Sequence, residues 1–132
     1  MSETITVTLR QLVRERASGR CEYCHVHESD CHLSHEPDHI IAGKHEGPTT
    51  LEILAWSCWE CNRRKGSDLS SVDLETGRVV RLFHPRRDRW TSHFRMENGR
   101  VIPLTPIGRV TEHFLQMNRR HAVWSRRNPP GE

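Results

Sequence analysis

The stretch CWECNRRK at residues 58–65 repeats a spacing that occurs earlier in the chain as CEYC at residues 21–24. A Cys-x-x-Cys turn brings both thiolates to one side, so two such turns can close a tetrahedral shell around one Zn²⁺ ion at about 2.3 Å per Zn–S bond. The sequence therefore predicts a structural zinc site. Its ligands are Cys21, Cys24, Cys58 and Cys61. A full thiolate shell leaves no position for water, so this ion is expected to hold the fold together and not to react.

Other metal-binding side chains follow the first cysteine pair. Cys31, His32 or His35 could replace one of the four cysteines, and a redox pair is a further alternative. The segment between Cys24 and Cys58 has 33 residues, whereas common zinc ribbons have roughly 15–20. The zinc loop is therefore expected to hold a sizeable insert.

The insert carries Asp38-His39, and Asn62 directly follows the second cysteine pair. Carboxylate and amide oxygens are ligands for a hard divalent cation such as Mg²⁺. A neutral imidazole with an ordinary pKa near 6.5 is a natural base for a water molecule. Because a helix is expected to begin at the second pair, the zinc would set the position of Asn62 relative to the strand that carries Asp38.

Length and composition limit the remaining possibilities. A chain of 132 residues with 34% hydrophobic content has room for one small domain whose thin core needs a staple such as a metal. The net charge is only +3, but basic residues cluster locally, as in RRK at residues 63–65. Such clusters are typical of phosphate-binding surfaces and of solvated surfaces alike. No apolar run approaches the roughly 18 residues of a membrane span. With no secretory signal and five cysteines, we expect a cytoplasmic protein.

Local patterns predict an α+β fold. A first helix is expected over residues 8–18, with Thr8 as its cap, followed by a short strand over 38–41 and a helix from the second cysteine pair to about residue 67. Strands over 90–96 and 101–104 are expected to form a hairpin around Glu97-Asn98-Gly99. Thr105-Pro106 then marks the start of a helix. We expect a single domain over 1–132, with a core over 8–67, a hairpin and helix over 68–118, and a loose basic tail over 119–132.

The stretch from Cys21 to Lys65 resembles an HNH endonuclease, the zinc-knuckle branch of the ββα-metal nucleases. The matching residues are the two cysteine pairs, DHII at 38–41, KHEGPTT at 44–50 and Asn62-x-x-Lys65-Gly66. Weaker similarity to small stand-alone bacterial HNH proteins continues to residue 109. The resemblance implies a ββα-metal core with a four-cysteine zinc site.

The resemblance also implies an activity. His39 would be the general base that activates water for attack on a phosphodiester, and Asp38 and Asn62 would hold one Mg²⁺ or Mn²⁺ ion. The partner would be nucleic acid, taken here as double-stranded DNA, although the residues leave RNA open. The candidate contacts to nucleic acid are His45, Arg63, Arg64 and Lys65. Each has a plainer alternative as a solvated surface side chain.

One position departs from the family pattern. The family's middle Asn, which braces the loop that orients the base, corresponds here to Ile53. Glu52, Thr50 or simple packing could replace this brace. The alternatives to an active nuclease are therefore a zinc-stabilised DNA-binding module that has lost cleavage, and a structural zinc protein whose partner is another protein.

Overall fold

The computed structural model describes residues 5–130. Over this range the chain forms five α-helices, two short 3₁₀ helices and three two-stranded antiparallel sheets, so the predicted α+β class is confirmed. The helices are α1 (Val7–Arg16), α2 (Trp59–Lys65), α3 (Trp90–His93), α4 (Pro106–Leu115) and α5 (Arg120–Arg127). The strands are β1 (Glu36–His39), β2 (Leu54–Ser57), β3 (Ser70–Val72), β4 (Val79–Arg81), β5 (Phe94–Glu97) and β6 (Arg100–Pro103). None of the helices in this range is both long and apolar enough to cross a bilayer.

Strands β1 and β2 and helix α2 form the ββα unit that the resemblance implied. In the β1–β2 ladder Asp38 lies opposite Ala55 and His39 opposite Leu54. The predicted strand over 38–41 is displaced by two residues, because the chain turns after His39 into a loop. That loop returns so closely that a Cβ at Gly47 would lie 1.7 Å from the Ile41 carbonyl oxygen. Only glycine fits there.

Helix α1 covers the outer side of the ββ unit. Its buried Val13 forms a small apolar cluster with Leu54 and Trp56 of β2. The helix begins one residue earlier than expected and ends two residues earlier, and its cap is Thr6 and not Thr8. The Thr6 hydroxyl accepts a hydrogen bond from the Leu9 amide at 3.1 Å, as a residue just outside the first turn can do.

The second half of the chain contains the predicted hairpin and helix. Asn98 and Gly99 both have positive φ angles, of 48° and 77°, which is the backbone that a tight two-residue hairpin needs. Thr105 caps α4 by accepting a hydrogen bond from the Gly108 amide, as predicted. The expected strand over 90–96 is wrong in its first half. Residues 90–93 form the helical turn α3, where the Trp90 indole N–H donates to the Tyr23 carbonyl at 2.9 Å.

The expected loose tail is wrong for residues 120–127, which form α5. Arg126 donates hydrogen bonds to the Gly99 carbonyl at 2.7 Å and to the Cys24 carbonyl at 2.9 Å. The Ser125 hydroxyl donates to the Asp30 carboxylate at 2.6 Å. The local sequence predicts a solvated tail because the carbonyl groups that bind Arg126 are far away in the chain.

One apolar core joins the two halves of the chain. It contains buried residues from the cysteine turns, from β5 and β6, and from α4 and α5, among them Tyr23, Phe94, Leu115 and Ala122. This shared core favours the prediction of a single domain, which stays a prediction.

Candidate functional site

The four predicted cysteine ligands come together. The Sγ atoms of Cys21, Cys24, Cys58 and Cys61 all lie within 4.8 Å of one another, and all four residues are buried. A tetrahedral shell with 2.3 Å bonds has sulfur atoms about 3.8 Å apart, and the Cys24 and Cys58 sulfurs are 3.7 Å apart. The donor set and spacing therefore fit Zn²⁺. Cys31, His32 and His35 lie outside this group, so the alternative ligand set is not the one that the fold assembles.

Backbone amides and one arginine face the sulfur atoms. The Cys24 amide points at the Cys21 sulfur at 3.5 Å, and the Cys61 amide at the Cys58 sulfur at 3.4 Å. The Arg119 guanidinium lies 3.3 Å from the Cys58 sulfur and 3.6 Å from that of Cys24. Burial lowers the pKa of Arg119, but the surrounding thiolates outweigh this effect and raise it. Four thiolates around a divalent ion carry net negative charge, and Arg119 offsets part of that charge.

Asp38 is enclosed by two partners. Its side chain is 5% exposed, and its Oδ2 atom accepts a hydrogen bond from the Tyr23 hydroxyl at 2.9 Å and lies 3.4 Å from the Lys65 Nζ. Within residues 5–130 its Oδ1 atom accepts no hydrogen bond. This atom is not fully enclosed, so it keeps contact with solvent. Burial raises the pKa of Asp38, and the nearby Lys65 ammonium and Tyr23 hydroxyl oppose that rise.

Lys65 links the strand to the helix. Only 2% of the residue is exposed. Besides pairing with Asp38, its ammonium donates to the carbonyl oxygens of His39 at 3.2 Å and Gly66 at 3.3 Å. Lys65 was a candidate phosphate contact, and the structure corrects this. An ammonium that is buried and bound to three oxygens holds β1 against α2 and is not presented to a ligand.

His39 is held by a residue that the sequence patterns did not indicate. Its Nε2 atom lies 2.9 Å from the Thr49 hydroxyl. The position of the missing Asn is occupied by buried Ile53, whose carbonyl accepts the Ile40 amide at 2.8 Å. The Thr50 carbonyl accepts the amides of residues 53 and 54, both at 3.0 Å. The loop is thus braced by main-chain hydrogen bonds. Within the described range the side chains of Glu52 and Thr50, the two replacements considered above, make no hydrogen bond.

Asn62 is half-buried on α2, three residues before Lys65. Residues three apart lie on the same face of a helix, so the Asn62 side chain lies on the face that Lys65 joins to β1. In the part of the chain that the structure describes, the side-chain amide of Asn62 makes no hydrogen bond to another residue. It is thus available to a ligand.

The remaining candidates for nucleic-acid contact lie at the surface. His45 is exposed, and its Nε2 atom lies 3.1 Å from the Ser67 carbonyl oxygen. The Arg63 guanidinium lies over the Trp59 ring at 4.9 Å, and Arg64 forms an exposed ion pair with Glu60 at 3.6 Å. All three side chains are accessible to a large ligand, unlike Lys65.

The residues that sequence reasoning missed are Tyr23, Thr49 and Arg119. Tyr23 and Arg119 lie 15 and 95 residues from the groups they contact, and no local pattern signals such a pair. Thr49 lies in the quoted stretch at 44–50, but a hydroxyl in a polar loop carries no sign of its partner.

The geometry defines a class of small ββα domain in which four cysteines that could hold zinc join the turn at residues 21–24 to the start of α2. The family model of the HNH endonucleases matches residues 21–68. Residues 21–68 are thus similar to an HNH endonuclease domain, and residues 69–132 lie beyond the matched part. Neither the curated proteins nor the solved structures include a match to this chain.

Proposed function

We propose that this protein is a zinc-stabilised, metal-dependent endonuclease that hydrolyses phosphodiester bonds in double-stranded DNA. The matched family acts through such chemistry, and the four-cysteine cluster suits a structural Zn²⁺ ion. The observation that carries the proposal is the Lys65 bridge, which ties the strand of Asp38 and His39 to the helix of Asn62. A cytoplasmic location belongs to the same proposal, since thiolate ligands persist in a reducing compartment.

His39 is proposed as the general base. If its Nε2–H donates to the Thr49 hydroxyl, Nδ1 carries the free lone pair, and among the described residues Nδ1 has no hydrogen-bond partner. An imidazole in this tautomer can take a proton from water through Nδ1. The main-chain brace at Thr50 and Ile53 supports the loop that carries Thr49.

Asp38 and Asn62 are proposed to hold a Mg²⁺ or Mn²⁺ ion. Both offer oxygen donors, the solvent-contacting Oδ1 of Asp38 and the free amide of Asn62, and such donors fit a hard cation. A cation bound there would neutralise charge on the phosphate and on the leaving oxygen. Lys65 favours the carboxylate form of Asp38 that this role requires, since a nearby positive charge opposes the rise in pKa caused by burial.

The decisive experiment is nicking of supercoiled plasmid with Mg²⁺ or Mn²⁺. His39→Ala is expected to lower the rate by about 10²- to 10⁴-fold, which is the usual contribution of a general base. Asn62→Ala is expected to remove metal-dependent cleavage without a change in melting temperature. The matched control is His113→Ala, an exposed histidine outside the matched residues 21–68. Equal activity of His39→Ala and His113→Ala would refute the role of His39.

A second candidate function is DNA binding without cleavage. The specific observation in its favour is that Tyr23 and Lys65 already occupy Oδ2 of Asp38, which leaves one oxygen for a cation. In that case the parent protein retains DNA, with an affinity that falls steeply with salt. It also shows no nicking with either metal at any concentration.

A further inference from the structure

A basic concave surface lies on α5, outside the matched residues 21–68. It encloses about 590 Å³ and is formed by Arg100, Arg120, Val123, Trp124, Arg127 and Asn128, together with Asn118. We refer to it as the α5 surface. Four of its residues, at positions 120, 123, 124 and 127, follow the spacing of one helical face. Arg100 adds a third guanidinium from the start of β6, and among the described residues no acidic side chain lines the surface.

The three arginines of this surface are exposed and uncommitted. Within residues 5–130, Arg100, Arg120 and Arg127 form no ion pair and donate no side-chain hydrogen bond. Some arginines elsewhere in the chain are paired with carboxylates instead. Arg81 binds Asp88 through two hydrogen bonds, and Arg109 binds Asp73 at 2.9 Å. Three guanidinium groups without a partner among the described residues are suited to successive phosphates of an external ligand.

Trp124 lies among these arginines and is 54% exposed. An exposed indole offers a flat apolar face that a planar ligand can cover. The His121 ring lies nearly parallel to it, with centroids 6.0 Å apart, and His121 is itself held by the Asp30 carbonyl at 2.7 Å. The indole is thus positioned and still open, which is the arrangement of a stacking platform for an unpaired base.

The opposite face of α5 is anchored to the rest of the fold. Ala122 and Ser125 are buried there, and Arg126 binds carbonyl groups of the first cysteine turn and of the β5–β6 turn. Gly99 lies directly beneath the Arg127 side chain, where a Cβ would lie 2.4 Å from the Arg127 Cγ atom. A preorganised surface loses less entropy when it orders a flexible strand.

We propose that the α5 surface binds single-stranded nucleic acid, with phosphates on Arg100, Arg120 and Arg127 and an unpaired base on Trp124. The surface would act as a second contact that retains a melted, nicked or overhanging strand. The proposal shares with the proposed function only the premise that the partner is nucleic acid. It requires neither His39 nor a catalytic cation.

The test is binding of a fluorescein-labelled dT12 oligonucleotide, followed by anisotropy without added divalent cation in the His39→Ala background. Trp124→Ala is expected to weaken binding by about 5- to 150-fold, the range for loss of one stacked base. Trp124→Phe should retain most of the affinity. Arg120→Ala with Arg127→Ala should reduce the slope of log K against log salt by about 1.4, since each phosphate contact on a single strand contributes roughly 0.7.

The matched charge control is Arg78→Ala, an exposed arginine on the β3–β4 turn that makes no ion pair among the described residues. It should leave both affinity and slope unchanged. Equal binding by the Trp124, Arg120/Arg127 and Arg78 variants would overturn the proposal. So would a Trp124→Ala effect that is as large on blunt duplex as on dT12, because a base within a duplex cannot stack on the indole. Because cleavage is not measured, an inactive nuclease would leave this result intact.

Discussion

Removal of the Lys65 ammonium tests the internal link on which the candidate site depends. Lys65→Met keeps an unbranched side chain of similar length and a residue of similar helix propensity. It deletes the partner of Asp38 and the donor to two carbonyl oxygens. The Asp38 carboxylate would then remain in a nearly closed pocket with only the Tyr23 hydroxyl as a partner.

The expected loss is large because both partners are buried. The Lys65 and Asp38 side chains are 3% and 5% exposed, and removal of one member of a buried pair costs about 3–5 kcal/mol. For a chain of 132 residues the unfolding entropy is about 280 cal/mol/K, so this loss corresponds to a fall in melting temperature of roughly 11–18 °C.

Thermal melting followed by circular dichroism, at pH 7 and a fixed zinc concentration, measures this fall. The matched control is Arg64→Met on the same helix, where the exposed ion pair with Glu60 is worth about 0.3–0.5 kcal/mol. The double variant Lys65→Met/Asp38→Asn is expected to recover at least about half of the loss, since it removes the uncompensated charge. A Lys65→Met protein that melts within the range of Arg64→Met would refute the assignment of Lys65 as a structural link.

Three further predictions concern other parts of the fold. Cys58→Ser is expected to lose zinc in elemental analysis and to lose cooperative melting, because a structural zinc contributes about 10–16 kcal/mol; Cys31→Ser should keep both, and normal zinc in the Cys58 variant would contradict the ligand set. Arg119→Gln should weaken zinc about 10- to 100-fold in a chelator competition, whereas exposed Arg120→Gln should not, and equal affinities would show that the contact with sulfur is incidental. Burial and nearby Arg87 lower the pKa of His84. Below about pH 6.5 the unfolded chain therefore binds a proton at this residue that the folded chain does not bind, and the free energy of unfolding decreases as the pH is lowered. His84→Asn can still accept hydrogen bonds from the two backbone amides that now donate to Nδ1. Between pH 7.5 and 5.5 this variant should lose less stability than the parent protein, and a difference in stability between the two that does not change with pH would refute this.

The features predicted correctly were those governed by neighbours in sequence. The two Cys-x-x-Cys turns, the Asn98-Gly99 hairpin and the capped start of α4 each depend on backbone geometry over about four residues. The grouping of all four cysteines followed because two paired turns can satisfy one tetrahedral ion.

The errors arose where a distant partner overrode the local pattern. Residues 90–93 form a helical turn in which the Trp90 side chain packs against the first cysteine turn. There its ring stacks on His25, with centroids 4.1 Å apart, and its indole N–H donates to the Tyr23 carbonyl. The tail becomes α5 because Ser125 and Arg126 find partners at Asp30, Gly99 and Cys24. No propensity within residues 119–132 could reveal those partners.

The same division applies to the candidate site. Residue types and spacing were enough to select Asp38, His39, Asn62 and the cysteines, because metal and proton chemistry restricts which side chains serve. Folding assigned the partners: Lys65 and Tyr23 to Asp38, Thr49 to His39, and Arg119 to the thiolates. Burial makes those pairings strong, and burial is a property of packing between segments far apart in the chain.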